Sequence, residues 1–208
     1  MIMEIVFGTA NKAKVDDVRK IIKDEHISVL SLAKVGTEPP VIAETGTTFE
    51  ENALIKYNVL RPLVPKDKVL VTEDSGLEID ALNGKPGVYS RRWEAGGREL
   101  TDEEVLSKVL SELKEIKDRT ARFVSVIVFG GAGIPRQTVR GELAGEILEK
   151  PDMNGFVQGF PYRALFYVPQ AKRMLYEIHD LPLEERGGVV THREKAWEAV
   201  LKSIGRNT

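Results

Sequence analysis

Adjacent carboxylates follow an apolar run in the segment VLVTEDSGLEIDAL, which begins at Val69. The run is typical of a buried strand, and the sequence predicts that this strand ends at Glu73 and Asp74, with Gly76 allowing a sharp turn after them. Successive residues of a strand point to opposite faces, so only one of the two acids can readily face a given cleft. Acids in this position are either solvated side chains at a loop or ligands directed into a cleft.

A second polar cluster, formed by Thr9, Asn11 and Lys14, follows the first predicted strand, MEIVFGT. It lies where the first helix begins, and the free N–H groups and dipole of a helix start favour an anion there. Thr and Asn side chains can add hydrogen bonds to phosphate oxygens, and Lys14 adds charge. The alternative is that Asn11 only caps the helix and Lys14 is solvated. Neither the G-x-x-x-x-G-K-[ST] loop nor the G-x-G-x-x-G fingerprint is present.

A third candidate group lies in the segment ETGTTFEENALIK. Thr48 and Glu51 have the Thr-x-x-Glu spacing of a capping box, which predicts that a helix begins there. Glu50 and Glu51 serve that helix start, where the dipole favours carboxylates. Glu44 lies outside that role and is the more interesting acid, with Lys56 farther along the helix.

These three groups together favour metal-assisted phosphoryl chemistry. An acid close to a phosphate is repelled by about 4 kcal/mol per charge pair at ~4 Å and an effective dielectric of ~20. A divalent cation reverses the sign of that interaction, because it bridges carboxylate and phosphate oxygens. Lysines alone bind phosphate without holding a metal, whereas acids alone hold the metal loosely and repel the substrate. The presence of both at element ends is the pattern that such chemistry requires.

The composition narrows the function classes. The 208-residue chain has 42% apolar and 30% charged residues, no cysteine, three histidines and a formal net charge of -2. This is typical of a globular α/β protein, and the near-neutral charge argues against binding to nucleic-acid polymers. The absence of cysteine excludes thiol nucleophiles, thiolate zinc sites and disulfides, so a metal would be Mg²⁺ or Mn²⁺ on carboxylate oxygens. No secretory signal or membrane-spanning window is present, which predicts a cytoplasmic protein.

Further segments predict the elements that position these groups. ISVLSL and KVLVTED are predicted as the second and third strands, and RTARFVSVIVFG and RQTVRGELAGEIL as two long strands. Thr101 with Glu104, and Thr191 with Glu194, repeat the Thr-x-x-Glu start and predict two more capped helices. PYRALFYVP and KRMLYEI predict a further strand pair. The pattern indicates a mixed α/β fold, with a curved central sheet and two lobes around a cleft.

The segments TANKAK, ETGTTFEENALIK, EDSGLEIDALNGKPGVYS and THREKA occur in a familiar order and spacing. From about Met3 to Leu201 the chain resembles the inosine/xanthosine triphosphate pyrophosphatase family. Members of that family hydrolyse non-standard purine nucleoside triphosphates, such as ITP, dITP and XTP, to monophosphate and pyrophosphate in a house-cleaning role. The resemblance implies one domain over residues 1–208, a long curved mixed sheet with two α/β lobes flanking a nucleotide-binding cleft, and a homodimer. It also implies a nucleoside triphosphate substrate and Mg²⁺ as cofactor.

The resemblance also implies a role for each motif position. Asp74 is implied as the group that orients or deprotonates the attacking water, with Glu73 as a weaker candidate, and Glu44 and Asp74 are implied as the Mg²⁺ ligands. The implied phosphate-binding residues are Thr9, Asn11, Lys14, Lys56 and Ser75. The implied base-binding residues are Phe160, Tyr162, Arg163, Thr191, His192 and Arg193.

The predicted base-recognition end departs from the family pattern. GFPYRALF stands where the family reads Gly-Phe-Gly-Tyr-Asp-Pro-x-Phe, so Arg163 replaces an acid and Ala164 replaces a proline. A cation that only donates hydrogen bonds reverses the hydrogen-bond code at that edge. Val189 stands where the family has a lysine, which Arg186 could replace only through a shifted loop. We therefore expect a shifted or broadened substrate range.

Two other functions stay open on the sequence. A similarly folded Maf-like pyrophosphatase would act on pyrimidine or modified nucleotides. A nucleotide sensor would bind its ligand without hydrolysis, although binding alone would not require the acid on the water side. A triad of Ser75 with His192 is discounted, because the G-x-S-x-G elbow is missing.

Overall fold

The computed structural model describes residues 2–93, 97–179 and 181–205. Its strands are β1 (Met3–Phe7), β2 (Ile27–Ser31), β3 (Val69–Ile79), β4 (Thr120–Gly131), β5 (Ile134–Ile147), β6 (Phe166–Val168) and β7 (Arg173–Met174). Its α-helices are α1 (Lys12–Ile21), α2 (Phe49–Leu60), α3 (Asp102–Glu112), α4 (Leu175–Ile178) and α5 (His192–Ser203). Short 3₁₀ helices cover Leu32–Val35, Arg61–Leu63, Asp80–Leu82, Gly87–Tyr89, Met153–Gly155, Pro161–Ala164 and Leu183–Arg186. None of the described helices is long and apolar enough to cross a lipid bilayer.

The strands form a seven-stranded sheet in the order β2-β1-β3-β4-β5-β6-β7. β1 pairs in parallel with β2 and β3, whereas β6 pairs antiparallel with β5 and β7. The predicted mixed α/β sheet is therefore confirmed. The predicted strand pair near the C-terminal end is also present but shorter than its segments, because Pro161–Ala164 and Leu175–Ile178 are helical.

The chain divides into two compact units. Unit 1 contains the chain up to Ser75, the segment Ser125–Gly141 and the chain from His192 onward, and unit 2 contains Gly76–Val124 and Glu142–Thr191. Unit 1 has a core between α1, α5 and the strands β1, β3 and β4, in which Phe7 and Trp197 meet edge to face. Unit 2 has its own core around α3, β6 and α4. The nucleotide-binding cleft expected from the resemblance stays a prediction.

Strand β3 extends past the end of its neighbour β1. β1 ends at Phe7, which pairs with Val71 of β3, whereas β3 continues to Ile79. The prediction that β3 ends at Glu73 and Asp74 is therefore wrong, and the strand continues because its later residues pack into the core of unit 2. The two acids lie inside a strand, just beyond the carboxyl end of parallel β1. Ligand crevices in α/β sheets form outside such carboxyl ends.

Two of the predicted helix starts are confirmed. The Thr48 side chain accepts from the backbone N–H of Glu51, and the Glu51 side chain accepts from the backbone of Thr48. Thr101 and Glu104 make the same reciprocal bonds at the start of α3. Helix α5 begins directly after Thr191, and its capping box stays a prediction.

Candidate active site

A pocket of about 540 Å³ lies within unit 1, beside the β1–α1 turn. It gathers nearly all of the residues predicted for water activation, metal binding and phosphate binding. Those that line it are Thr9, Asn11, Lys14, Glu44, Lys56, Glu73 and Asp74. Ser75 is not among the lining residues but contacts one of them, because Lys14 Nζ donates a hydrogen bond to Ser75 Oγ at 3.1 Å.

Lys56 joins the two predicted metal ligands. Its Nζ lies 3.0 Å from Glu44 Oε2 and 2.9 Å from Asp74 Oδ1. It also donates to the backbone carbonyl of Glu73 at 3.1 Å. Burial lowers the pKa of Lys56, but the carboxylates of Asp74 and Glu44 outweigh burial, and the net shift is upward. Lys56 is therefore a fixed cation at the point where both carboxylates converge.

Asp74 lies on the α2 side of β3. Its Oδ1 accepts from Lys56, and its Oδ2 accepts from Asn52 Nδ2 at 3.2 Å. Burial raises the pKa of Asp74, and the nearby Glu44 carboxylate adds to that rise, while Lys56 opposes it. A carboxylate whose ionised form is destabilised in this way is a better proton acceptor than a solvated one.

Asn52 fixes Asp74 from a second direction. Its Nδ2 donates to Asp74, while its Oδ1 accepts from the backbone N–H of Gly46 at 2.8 Å. Gly46 lies too close to the start of α2 to carry a side chain. A Cβ built there would lie 2.6 Å from Glu51 Cβ and 2.7 Å from Asn52 Oδ1. The turn before α2 is therefore tied through one amide to the carboxylate in the pocket.

Glu73 faces the other side of β3, as expected for adjacent strand residues. Its Oε1 accepts from Ser125 Oγ at 2.7 Å and from Arg193 Nε at 3.0 Å. Lys14 Nζ lies 3.6 Å from the other oxygen, Oε2. Burial alone would raise the pKa of Glu73, but the cations of Arg193 and Lys14 and the Ser125 hydrogen bond hold it far below the usual range.

The β1–α1 turn agrees with one part of the capping alternative and contradicts the other. The backbone N–H of Asn11 donates to Thr9 Oγ1 at 3.1 Å, and the backbone N–H of Lys14 donates to Asn11 Oδ1 at 3.3 Å. Asn11 therefore does cap the helix start. Lys14 is not a solvated lysine, since only 18% of its side chain is exposed. Burial lowers the pKa of Lys14, and the Glu73 carboxylate opposes that effect.

The residues predicted for base recognition are distributed over both units. In unit 2, the guanidinium of Arg163 lies 4.5 Å from the ring centroid of Phe160, and the Tyr162 hydroxyl donates to the backbone carbonyl of Ser90. Thr191 and His192 are buried at the start of α5. The base-binding roles of these residues stay predictions.

Arg193, also predicted for base recognition, is buried within unit 1. Its side chain is 5% exposed; its Nε donates to Glu73, and its Nη1 lies 3.2 Å from Asp17 Oδ2. The structure therefore places Arg193 beside the predicted catalytic acid pair.

Sequence reasoning missed three polar partners and an apolar wall. Asn52 could have been found, because it stands one helical turn before Lys56 on the same face of α2. Ser125 is a lone hydroxyl in the apolar run FVSVIVF, a pattern that indicates a buried polar contact. Asp17 had no signal beyond its place on α1. The apolar wall of the pocket is formed by Leu32, Pro39, Pro40, Val41, Ile42 and Leu60.

Comparisons with known proteins identify the family of this chain. The pattern of the Ham1 family matches residues 5–203. The chain is 35% identical over 193 residues to a dITP/XTP pyrophosphatase of Staphylococcus aureus strain MRSA252, covering 93% of this chain and 92% of the relative. It is 35% identical over 207 residues to a dITP/XTP pyrophosphatase of Clostridium perfringens strain 13, covering 97% of each.

A solved structure extends the likeness to the fold. The structure of the Staphylococcus aureus Ham1 protein matches with a TM-score of 0.75 at 32% identity, covering 97% of this chain and 98% of that one. The resemblance seen in the motifs thus holds over almost the whole length of the chain. Sequence and fold together show that this chain belongs to the Ham1 family.

Proposed function

We propose that this chain hydrolyses non-standard purine nucleoside triphosphates, ITP, dITP and XTP among them, to nucleoside monophosphate and pyrophosphate. One observation carries the proposal: Lys56 joins Glu44 and Asp74 in a pocket that also contains Lys14 and the β1–α1 turn. The names of the curated relatives, dITP/XTP pyrophosphatase, support the same substrate class. Phosphate-binding cations and carboxylates thus occur together, as metal-assisted phosphoryl transfer requires.

Mg²⁺ fits the donor set of the pocket. Glu44 and Asp74 direct carboxylate oxygens toward one point, since both contact Lys56 Nζ. In the described part of the chain, no three His, Cys, Asp or Glu side chains are grouped so that they could hold a metal ion. Mg²⁺ is commonly held by one or two carboxylates, with water and substrate phosphates as its other ligands. Bound to Glu44 and Asp74, Mg²⁺ or Mn²⁺ would neutralise phosphate oxygens and make the phosphorus more electrophilic.

Asp74 is the residue that we assign to the attacking water. Its raised pKa suits a proton acceptor, and Asn52 and Lys56 fix its orientation. The water oxygen attacks the α-phosphorus, its proton passes to Asp74, and the bond from the α-phosphorus to the bridging oxygen breaks. Lys14 and Lys56 stabilise the charge of the departing pyrophosphate.

Product analysis tests the proposal. The protein is incubated with ITP, dITP, XTP, dUTP and the common nucleotides, with and without Mg²⁺. Release of monophosphate and pyrophosphate from ITP, dITP or XTP, lost in Asp74→Asn, is the expected result. Release of orthophosphate, or turnover of pyrimidine nucleotides alone, would contradict it. Failure of every nucleotide to turn over, with binding retained, would favour a sensor.

The assembly belongs to the same proposal. We expect a cytoplasmic homodimer, with a nucleoside triphosphate as the ligand of each chain. Size-exclusion chromatography with light scattering should give twice the mass of the chain. A monomeric mass at assay concentrations would contradict the homodimer and leave the proposed chemistry unaffected.

A further inference from the structure

The described groups that contact the Glu73 side chain all belong to unit 1. Its side chain is 1% exposed, and its Oε1 accepts from both Ser125 and Arg193. Its Oε2 is buried and has no hydrogen-bond partner among the described residues. That oxygen points toward the ammonium of Lys14, which lies 3.6 Å away, beyond hydrogen-bond length.

The contacts of Glu73 join α1, β3, β4 and α5. Arg193, on α5, lies between Glu73 and Asp17, on α1. Lys14 is also on α1 and contacts Glu73 and Ser75, both on β3. Because all of these side chains are largely buried, their positions are set by one another rather than by solvent.

This arrangement does not suit a proton acceptor. A general base must reach its water within hydrogen-bond distance. The Glu73 side chain is 1% exposed, whereas that of Asp74 is 11% exposed, so a water molecule has far less access to Glu73. Asp74 projects from the opposite face of the same strand and is the acid that contacts the predicted metal site.

We propose that Glu73 is a positioning residue for Lys14: its buried carboxylate, fixed by Ser125 and Arg193, holds the Lys14 ammonium where a substrate phosphate contacts it. The proposal rests on the proposed function, since it takes Lys14 as a phosphate ligand. Ser75 accepts one Lys14 N–H, and no other hydrogen bond to that ammonium occurs among the described residues. The remaining N–H groups are free to donate to phosphate oxygens.

A double-mutant cycle tests this role. Wild type, Glu73→Gln, Lys14→Met and the double variant are titrated with inorganic tripolyphosphate and Mg²⁺ by calorimetry. If Glu73 acts through Lys14, Glu73→Gln weakens binding by about tenfold in the wild type and by less than about twofold in the Lys14→Met background. The same four proteins are assayed for kcat and KM on dITP.

Other outcomes would overturn the proposal. Unchanged tripolyphosphate binding, with kcat reduced by Glu73→Gln in both backgrounds, would make Glu73 a base. Equal loss of binding in both backgrounds would make its role merely structural. Tighter binding in Glu73→Gln would mean that the carboxylate only repels the phosphate.

A second substitution covers a failure to fold. Glu73→Asp keeps the charge but withdraws it from Lys14, and circular dichroism establishes that each protein is folded. Positioning predicts that Glu73→Asp also weakens tripolyphosphate binding, whereas a role through charge alone predicts binding like that of wild type. If the wild type binds tripolyphosphate but does not hydrolyse dITP, the proposed function fails while the cycle still decides the role of Glu73.

Discussion

The two faces of β3 give adjacent carboxylates opposite environments. On one face, Glu73 has two buried cations and a hydroxyl around it, and its pKa is far below the usual range. On the other, Asp74 shares the Lys56 ammonium with Glu44, and its pKa is raised. Alternation along a strand is sufficient to shift the pKa values of two carboxylates in opposite directions, although they are only one residue apart. The difference lies in the partners that each face meets, since the two side chains have the same chemistry.

The largest effect that separates the two faces should be on turnover. Asp74→Asn removes the proposed proton acceptor and one predicted metal ligand, so kcat for dITP should fall by about 10³-fold. Steady-state kinetics measures this loss. Asp16→Asn, the same substitution at an exposed position of α1, is the matched control and should keep wild-type kcat. Comparable activity in the two variants would remove Asp74 from the mechanism.

The next largest effect should be on the free energy of unfolding, and it should come from Glu73 on the opposite face of β3. Glu73→Gln leaves Arg193 buried with Asp17 as its remaining acid, so the free energy of unfolding should fall by about 3 kcal/mol. Asp74→Asn should change it by less than about 1 kcal/mol, because the ionised form of Asp74 is already destabilised by burial and Lys56 keeps Glu44 as a partner. Urea denaturation at neutral pH measures both values. Equal losses would mean that the two faces do not differ in stability.

A smaller loss should follow from the hydroxyl on the Glu73 face. Ser125→Ala removes one of the two donors to Glu73 Oε1 and should lower the free energy of unfolding by about 1–2 kcal/mol. Urea denaturation again measures the change. In a Glu73→Gln background the same substitution should have a different effect, because the two residues are in contact. Simple additivity would show that the hydroxyl does not act through Glu73.

The smallest effect should appear in the pH dependence of stability. The pKa of Glu73 is lowered from 4.5, so its stabilisation is complete above that value and is lost as pH falls toward the folded pKa. The pKa of Asp74 is raised from 3.8, so its contribution is greatest below that value and is lost as pH rises through the folded pKa.

The two variants should therefore show opposite slopes. Between pH 3 and 6, roughly the window set by these shifts, the stability advantage of wild type over Glu73→Gln should increase with pH, and that over Asp74→Asn should decrease. Thermal unfolding at half-unit pH steps measures both differences. Parallel slopes would mean that the two carboxylates titrate alike.

The sequence predicts local structure better than it predicts partners. The capping boxes at Thr48 and Thr101 are confirmed, because a cap depends on residues only three positions apart. The predicted end of β3 is wrong. Acids and a glycine normally interrupt a strand, but here the later residues of β3 pack into the core of unit 2 and maintain the strand.

The pocket residues were predicted as a set, but their pairings were not. The motifs predict that Lys14, Glu44, Lys56 and Asp74 belong to one site, and all four line the pocket. The Arg193–Glu73 contact joins residues 120 positions apart. A contact at that separation depends on how α5 packs against the sheet, and no local spacing encodes it.

The side-chain amide of Asn52 can connect Gly46 to Asp74 in only one orientation. An amide has one end that accepts and one that donates, and here the accepting end meets Gly46 while the donating end meets Asp74. Aspartate, the product of deamidation, has the same size and outline but has lost the donor. Deamidation of Asn52 would therefore place a second carboxylate beside that of Asp74, and the two would repel each other. Gly46 is equally sensitive, since even a methyl group there would displace the amide and disturb Asp74 from outside the pocket.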